Sequence, residues 1–450
     1  MGEGSIHGRT CGMSMADRRV VVCGFGAITS LGDLGVNKEK FWSSLKRGNS
    51  GFQPITEHFA DLAINSPLRD IRATTVAPVR DFDPARYLRA DFLRDYRRLD
   101  PVLLYALSAG ALAMEMSHLK VTEENSRAIG VKVGTGLGGG QSFETRVTHF
   151  QNRGRSRRLY NTVLNVMGNA AAGFASLYFG LKGSSSTAMA ACASSAYAVT
   201  EACDKIKLGK AVAMLVIGSE ASMTPFIIAC FDSMGVDSGA LSRKSGGSLP
   251  FAADRDGFVL GEGAGAVVLA ETEWAAKNGL TPVAEILGYW ENAGAQHMVQ
   301  PNSVETAYCM MQAIAQAKLT PQDIDYVNAH ATATPIGDRA ESQALHQTFR
   351  CTAMREHNKP YVNSTKALIG HTCGAAGVIE LIVAILSLRD GVIHPMGDYD
   401  VDPVCLHPGG TAEIPVNIVS RTPVIDRLRF ALTNSFGFGD ENASIVVGLP

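Results

Sequence analysis

The sequence predicts an α/β protein of two successive units, because short apolar runs alternate with longer segments of helical period in both halves. Hydrophobic residues make up 46% of the 450 residues and charged residues 19%, so most of the chain has enough apolar surface to fold. No short fixed repeat is present, which excludes a solenoid. We therefore expect inner sheets of parallel strands covered by helices.

The first half of the chain contains a regular series of predicted elements. Its strands are predicted at 19–26, 129–133 and 212–217, and its helices at 101–120 and 192–210. Gly24 and Gly26 follow the first strand, but the third glycine of a dinucleotide-binding fingerprint is missing, so a tight turn is the favoured interpretation. The glycine-rich segment 257–269 predicts a further inner strand that completes this unit.

The second half begins near Pro282 and repeats the alternation. Its strands are predicted at 283–289 and 324–328, with two more between 430 and 449, and its helices at 304–318 and 374–388. Residues 1–18 contain no apolar core of a secretory signal and are predicted as a disordered lead. The predicted domains are therefore 19–272 and 273–450.

Charge and cysteine content exclude several classes of function. Lys and Arg (41) nearly balance Asp and Glu (43), so the chain lacks the basic excess of a nucleic-acid-binding protein. Nine cysteines without a C-x-x-C pair argue against a disulfide framework and a zinc ribbon, and favour a reducing, cytoplasmic location. No apolar run reaches the roughly 18 residues of a membrane span. We expect no metal site, no nucleic-acid partner and no membrane insertion.

Cys192 is the candidate nucleophile. Small residues at 190–195 lead into a predicted helix, whose unpaired N–H groups carry about half a positive charge. This field favours the thiolate, which is the reactive form of cysteine. The alternative for an isolated cysteine is a small buried hydrophobic residue, and we favour that alternative for most of the other eight.

His330 and His371 are the candidate partners of Cys192. His330 follows the strand predicted at 324–328, and His371 precedes the helix predicted at 374–388. Active sites in sheets of this kind lie beyond the carboxyl ends of the strands. Neutral imidazoles at that edge can donate hydrogen bonds to an oxyanion or an enolate.

Two segments are rich in arginine. The first lies between 82 and 100 and contains Arg94, Arg97 and Arg98, and the second is 153–158. A solvated face is the usual interpretation of such a run of charge. A docking site for an acidic partner is the alternative.

Six motifs occur in an order that is highly specific. They are Ala191–Ser195, Asp254–Gly265, Asn328–His330 with residues up to Glu341, Ser364–Lys366, Gly370–Gly377 with Glu380, and Asn434–Gly439. On these motifs the chain, from about Arg19 to Leu449, resembles the elongating β-ketoacyl-[acyl-carrier-protein] synthases of the thiolase superfamily. The resemblance implies a thiolase fold, with two similar α/β halves stacked as a layered α-β-α-β-α core.

The resemblance implies a role for each matching residue. Cys192 accepts the acyl group, while His330 and His371 stabilise the enolate that forms when carbon dioxide leaves a malonyl thioester. Lys366 is implied as an electrostatic group paired with Glu341, and the backbone N–H groups of Cys192 and Phe438 are implied as the oxyanion hole.

The resemblance also assigns residues that bind the substrate and its carrier. Phe438 is implied as a gate, Thr332 and Thr334 as contacts to phosphopantetheine, and Leu137 and Phe436 as substrate-binding residues. Arg94, Arg97 and Arg98 are implied as the docking site for the acyl carrier protein.

The implied reaction joins an acyl thioester to malonyl-[acyl-carrier-protein], with release of carbon dioxide, in fatty acid elongation. No cofactor is expected, because phosphopantetheine arrives on the carrier, and a homodimer is expected. The chain departs from the family pattern at Leu249, Val299, Ala331, Ala333 and Asp440. A ketosynthase of a type II polyketide or polyene pathway, alone or in a heterodimer with a chain-length factor, is therefore the alternative.

Three other functions agree with single features of the sequence. A non-catalytic chain-length partner lacks the nucleophile that Cys192 supplies here. A papain-like protease has a similar Cys–His spacing, but the sequence around Cys192 differs from its signature. A thiolase acting on coenzyme A needs a second cysteine as base, for which Cys373 is the nearest candidate.

Overall fold

The computed structural model describes residues 18–36, 39–60, 70–234, 241–243, 247–350, 359–410 and 415–450. The predicted disordered lead, residues 1–18, lies outside this part of the chain apart from Arg18. Among the helices of the described residues, none is long and apolar enough to cross a membrane.

The first half alternates strands and helices up to residue 277. Its strands are β1 (Val20–Thr29), β2 (Gly32–Leu34), β3 (Gln53–Pro54), β4 (Thr75–Ala77), β5 (Ile129–Gly134), β6 (Ser185–Ala188), β7 (Ala213–Glu220), β8 (Leu260–Gly261) and β9 (Gly263–Glu271). Its helices are α1 (Lys40–Lys46), α2 (Ile55–His58), α3 (Ala90–Asp95), α4 (Pro101–Ser117), α5 (Gly140–Arg153), α6 (Thr162–Val166), α7 (Ala170–Phe179), α8 (Ser194–Lys207), α9 (Pro225–Ser233) and α10 (Thr272–Lys277).

The second half has the same alternation. Its strands are β10 (Ala284–Ala293), β11 (Tyr326–Asn328), β12 (Tyr361–Asn363), β13 (Val392–Ile393), β14 (Asn417–Ile418), β15 (Val424–Ile425), β16 (Phe430–Gly437) and β17 (Glu441–Gly448). Its helices are α11 (Ser303–Gln316), α12 (Pro335–Phe349), α13 (Lys366–Ile369), α14 (Ala376–Asp390) and α15 (Pro403–Leu406). The predicted domain boundary, 272/273, falls at the start of α10 and stays a prediction.

One strand order occurs twice in the large sheet. The first half runs β6-β5-β7-β9-β1 and the second runs β12-β11-β16-β17-β10, and the two join where β1 pairs with β10. The three strands at the start of each series are parallel, as predicted, but the last two are antiparallel to their neighbours. The expectation of wholly parallel inner sheets was therefore wrong. In the second half the cause is the tight β16–β17 turn, which can join only antiparallel strands.

Two helices form the middle layer. α8 packs on β7 and β5, α14 packs on β16 and β9, and the two helices also pack on each other. Residues 376–388 of α14 are all buried, as expected of a helix that is apolar on every side. α4 and α7 cover the outside of the first half, and α11 and α12 cover the outside of the second. The predicted α-β-α-β-α layering is thus confirmed.

Gly24 and Gly26 lie inside β1 rather than in the turn that the sequence suggested. A Cβ atom on Gly24 would be 2.5 Å from the backbone nitrogen of Ser117, and one on Gly26 would be 2.7 Å from the carbonyl oxygen of Ala109. Both of these neighbours belong to α4. The two glycines therefore allow α4 to approach the sheet closely.

The two middle helices begin in matching ways. A 3-10 turn, Ala191–Ala193, precedes α8, and a second one, Cys373–Ala375, precedes α14. The first residue of each turn has a positive φ, 45° and 46° respectively. A Cβ atom on Gly377 would lie 2.7 Å from the backbone nitrogen of Ala196, so the two helix starts touch through their backbones. The loops after the parallel strands of both halves therefore meet at this point.

Candidate active site

A cavity of about 190 Å³ lies where the two helix starts meet. The sequence-predicted residues that line it are Leu137, Cys192, His330, Thr332, Thr334, Glu341, His371, Phe436 and Phe438. Lys366 is 1% exposed and is not among the lining residues, and Arg94, Arg97 and Arg98 lie on the outer surface. The predicted nucleophile of the first half and the two predicted histidines of the second half thus share one cavity.

Cys192 occupies the centre of the turn before α8, as its small neighbours predicted. Ser194 fixes this turn, because its hydroxyl donates to the carbonyl of Ala191 and accepts from the backbone N–H of Ala190. The predicted helix start at residue 192 is two residues early, since α8 begins at Ser194. The half-buried Cys192 therefore lies just before the first turn of a helix, where the helix field stabilises an anion.

The thiol of Cys373 is a second influence on Cys192. It lowers the pKa of Cys192 well below its usual value, although burial acts in the opposite direction, and Sγ of Cys373 lies 3.8 Å from the carbonyl oxygen of His371. The charges of His371 and Lys366 lower that pKa further. The interaction with Cys192, together with burial, raises the pKa of Cys373. The two sulfurs therefore favour a thiolate at Cys192 and a thiol at Cys373.

Glu341 positions the loop that carries His330. Its carboxylate accepts from the backbone N–H groups of His330 (3.0 Å) and Ala331 (2.7 Å), and from Nδ2 of Asn434 (3.2 Å). Burial raises the pKa of Glu341 to about 7 against the effect of these donors. Burial, assisted by Lys366, lowers the pKa of His330 well below its usual value. His330 is thus neutral near pH 7.

His371 is held by backbone contacts to the β8 segment. Its N–H donates to the carbonyl of Val259 (2.7 Å), and its carbonyl accepts from the N–H of Gly261 (2.9 Å). The ring centroids of His330 and His371 are 5.4 Å apart, and the rings are nearly perpendicular. Among the described residues, Nδ1 of His330 and both ring nitrogens of His371 have no hydrogen-bond partner. These nitrogens are available to a bound substrate.

The predicted ion pair between Lys366 and Glu341 was wrong. Lys366 instead donates to the carboxylate of Glu380, and both side chains are 1% exposed. The carboxylate of Glu341 is taken up by the His330 loop and Asn434, whereas Glu380 lies in the first turns of α14 beside Lys366. Burial raises the pKa of Glu380, while Lys366 opposes that rise.

Glu220 is a site residue that the sequence reasoning missed. Its buried carboxylate accepts from the N–H groups of Gly136 (2.7 Å), Leu137 (3.3 Å) and Gly374 (3.1 Å). It thereby fastens the loop that carries Leu137 to the turn that carries Cys373. Burial raises the pKa of Glu220 against these donors. Its position directly after the apolar strand 212–217 was the available signal.

The Phe438 loop and the loop before α11 both contribute to the cavity wall. Val299, Gln300 and Pro301 line the cavity, together with Thr332 and Thr334, whose hydroxyl oxygens are 3.1 Å apart. A Cβ atom on Gly437 would lie 3.2 Å from the backbone nitrogen of Cys192. The Phe438 loop therefore borders the nucleophile directly.

The two arginine segments lie side by side. Nδ2 of Asn161 donates to the carbonyls of Arg97 (3.3 Å) and Arg98 (3.4 Å), and Asn161 follows the short turn Arg157–Leu159. The exposed arginines of this surface are Arg94, Arg97, Arg98, Arg153, Arg155, Arg157 and Arg158. Arg94 pairs with Asp95. We call these seven residues the arginine surface.

Comparisons with known proteins agree with this geometry. Residues 17–275 match the family model "Beta-ketoacyl synthase, N-terminal domain", and residues 283–400 match "Beta-ketoacyl synthase, C-terminal domain". A 3-oxoacyl-[acyl-carrier-protein] synthase 2 from Vibrio harveyi is 33% identical over 434 residues, which is 96% of this chain and 99% of that protein.

Two solved structures are similar over nearly the whole chain. A β-ketoacyl synthase from Burkholderia phymatum has a TM-score of 0.82 and 28% identity, with 96% of this chain and 100% of that chain covered. The ishigamide ketosynthase/chain length factor has a TM-score of 0.82 and 26% identity, with 96% and 99% covered. The fold is the thiolase fold of the condensing enzymes, as predicted. The chain belongs to the β-ketoacyl synthase family.

Replacing Cys373 with Ala tests the pairing of the two cysteines. Without the Cys373 thiol, the pKa of Cys192 rises, so a smaller fraction of Cys192 is thiolate near neutral pH. We expect alkylation of Cys192 by iodoacetamide to stay fast towards neutral pH in the wild type and to slow in Cys373→Ala. Peptide mass spectrometry of the Cys192 peptide across the pH range measures this rate.

Cys405→Ala, which removes a buried cysteine outside the cavity lining, serves as the control and should leave the profile unchanged. Identical pH profiles for Cys373→Ala and the wild type would show that Cys373 does not stabilise the thiolate.

Proposed function

We propose that the protein catalyses a decarboxylative condensation of an acyl thioester, held on Cys192, with malonyl-[acyl-carrier-protein]. The products are a 3-oxoacyl-[acyl-carrier-protein] and carbon dioxide. The observation that carries this proposal is the shared cavity, which is lined by Cys192 and by two imidazoles with unpaired ring nitrogens. The similarity of nearly the whole chain to a 3-oxoacyl-[acyl-carrier-protein] synthase 2 supports it.

The first half-reaction is acyl transfer to sulfur. The Cys192 thiolate attacks the carbonyl carbon of the incoming thioester, and the phosphopantetheine thiolate leaves. The developing oxyanion needs donors, and the backbone N–H groups of Cys192 and Phe438 are the proposed ones. The closeness of Gly437 to the nitrogen of Cys192 supports this assignment. The sulfur-to-sulfur exchange is nearly isoenergetic, so no activation of the substrate is required.

The second half-reaction generates a carbon nucleophile without a strong base. The bond to the malonyl carboxylate breaks, carbon dioxide leaves, and the electron pair moves onto the thioester as an enolate. Neutral His330 donates one hydrogen bond to the enolate oxygen, and the His371 ring donates a second. The enolate carbon then attacks the acyl carbon on Cys192, and the Cys192 thiolate leaves. The buried Lys366–Glu380 pair contributes positive potential near the site.

The remaining roles concern the path to Cys192. Thr332 and Thr334 contact the phosphopantetheine arm, Phe438 gates the passage, and Leu137 and Phe436 line the acyl pocket. The proposal requires no cofactor of the chain's own, since the arm arrives on the carrier. A thiolase reaction is disfavoured, because the raised pKa of Cys373 keeps its sulfur protonated and so unable to accept a proton.

Fatty acid elongation is the proposed pathway. A type II polyketide or polyene pathway is the second candidate, because a ketosynthase/chain length factor is structurally similar and because Val299 and Asp440 depart from the usual pattern in the cavity lining. The proposed assembly is a homodimer, with a chain-length factor as the alternative partner. The proposed location is the cytoplasm.

Acylation of Cys192 is the direct test of the first half-reaction. We expect intact mass spectrometry to show one acyl adduct after the protein is mixed with acyl-[acyl-carrier-protein], and peptide mapping to place it on Cys192. Cys192→Ala should show no adduct, whereas Cys203→Ala, a change inside α8, should keep it. An adduct on another residue, or none, contradicts the proposal.

Charge reversal tests the arginine surface as the docking site. Arg97→Glu with Arg98→Glu should raise the KM for carrier-bound substrate about tenfold at low salt, because an acidic carrier is no longer attracted. The KM for a free acyl-pantetheine should not change. Arg427→Glu, an exposed residue of the second half, is the matched control. If the double variant and the wild type have the same KM for carrier-bound substrate, the arginine surface is only a solvated face.

A further inference from the structure

Asp440 lies in the tight turn between β16 and β17, where none of the roles above uses it. Its side chain is 4% exposed, and its φ is +62°, a conformation that non-glycine residues adopt rarely and Asp more readily than most. A buried carboxylate in this position needs hydrogen-bond donors. The structure supplies them from a different part of the chain.

The donors belong to the segment before α11. We call residues 437–440 the gate loop and residues 294–302 the entrance loop. The carboxylate of Asp440 accepts from the backbone N–H groups of Gln296 (3.4 Å) and Asn302 (3.1 Å). Two backbone hydrogen bonds run in parallel, from Gly439 to the carbonyl of Met298 (2.9 Å) and from Gly294 to the carbonyl of Asp440 (2.7 Å).

Gly294 makes room for this carboxylate. A Cβ atom on Gly294 would lie 1.9 Å from Oδ2 of Asp440, closer than any contact between real side chains. An alanine there would force the carboxylate out of its place. The glycine at 294 and the aspartate at 440 therefore fit each other.

Both loops line the cavity, and Asp440 itself is among the lining residues. The gate loop contributes Phe438, and the entrance loop contributes Val299, Gln300 and Pro301. Movement of the gate loop alone would break the two carboxylate bonds as well as the two backbone bonds. A loop with glycine at 440 would have only the backbone bonds to break.

We propose that Asp440 is a positioning residue that joins the gate loop to the entrance loop, and that this link limits which acyl groups reach Cys192. The limit on acyl groups rests on the proposed function, whereas the link between the loops does not. Long acyl groups need the largest displacement of Phe438 from the passage. They are therefore the substrates that the link disfavours most.

Hydrogen exchange tests the link without reference to activity. Asp440→Gly should speed amide exchange in peptides covering 294–302 at least tenfold, because Gln296 and Asn302 lose their acceptor. Asp440→Asn should give an intermediate rate, since an amide has one acceptor oxygen in place of two. Asp81→Gly is the matched control, because Asp81 is an exposed aspartate that also has a positive φ, 55°. It should leave exchange at 294–302 unchanged.

Substrate selection tests the consequence. The readout is the ratio of kcat/KM for acylation of Cys192 by dodecanoyl-[acyl-carrier-protein] to that by butanoyl-[acyl-carrier-protein]. Asp440→Gly should raise this ratio at least threefold, Asp440→Asn should raise it less, and Asp81→Gly should not change it. A general loss of folding would lower the kcat/KM values for both substrates by the same factor, so their ratio would not change.

A double-mutant cycle separates the link from local strain. Gly294→Ala should displace the carboxylate and reproduce both effects of Asp440→Gly. In the Asp440→Gly background the same alanine should add nothing, because the atom it would strike is gone. The proposal is overturned if the effects of the two substitutions are additive. It is also overturned if amide exchange at 294–302 is unchanged in Asp440→Gly or Asp440→Asn, or if the ratio of kcat/KM values is unchanged. Absence of any acylation in the wild type would instead contradict the proposed function, while exchange would still test the link.

Discussion

Backbone contact between the starts of α8 and α14 is the constraint on which the rest of this structure depends. A Cβ atom on Gly377 would overlap Ala196, and one on Gly374 would lie 2.2 Å from the nitrogen of Gly136. Glycine at these positions lets one half of the molecule place its nucleophile against the imidazoles of the other half. Neither half alone contains the three groups that the proposed condensation needs.

The electrostatics of the site follow from this contact. Burial removes water from around Cys192, His330 and Glu341, so their ionisation depends on a few neighbouring groups rather than on solvent. A thiol donor and a buried lysine favour the thiolate, and the same lysine disfavours a charged His330. The site thus holds its anion and a neutral donor at the same pH. An acyl transfer that needs the anion and a decarboxylation that needs neutral donors can therefore share one cavity.

The sequence predicted the architecture and the main chemical groups because both depend on local patterns. Small residues before a predicted helix indicated Cys192, a strand end indicated His330, and the structure places both residues in one cavity. The partner of Lys366 could not be predicted, since Glu341 and Glu380 are both acidic residues in helices and their orientation depends on tertiary packing. The roles of Gly24, Glu220 and Asp440 depend on backbone groups that are distant in sequence. No local pattern contains that information, although the departure at Asp440 marked the position.

The central claim is that His330 and His371 stabilise the enolate beside an acylated Cys192. Release of labelled carbon dioxide from malonyl-[acyl-carrier-protein] tests this claim most directly. His330→Ala and His371→Ala should each slow this release by about 100-fold or more, the usual effect of losing one oxyanion donor, while Cys192 still accepts an acyl group. His346→Ala, a change of a buried histidine in α12 outside the cavity lining, should leave release close to that of the wild type. Release at the wild-type rate from either cavity variant would contradict the account.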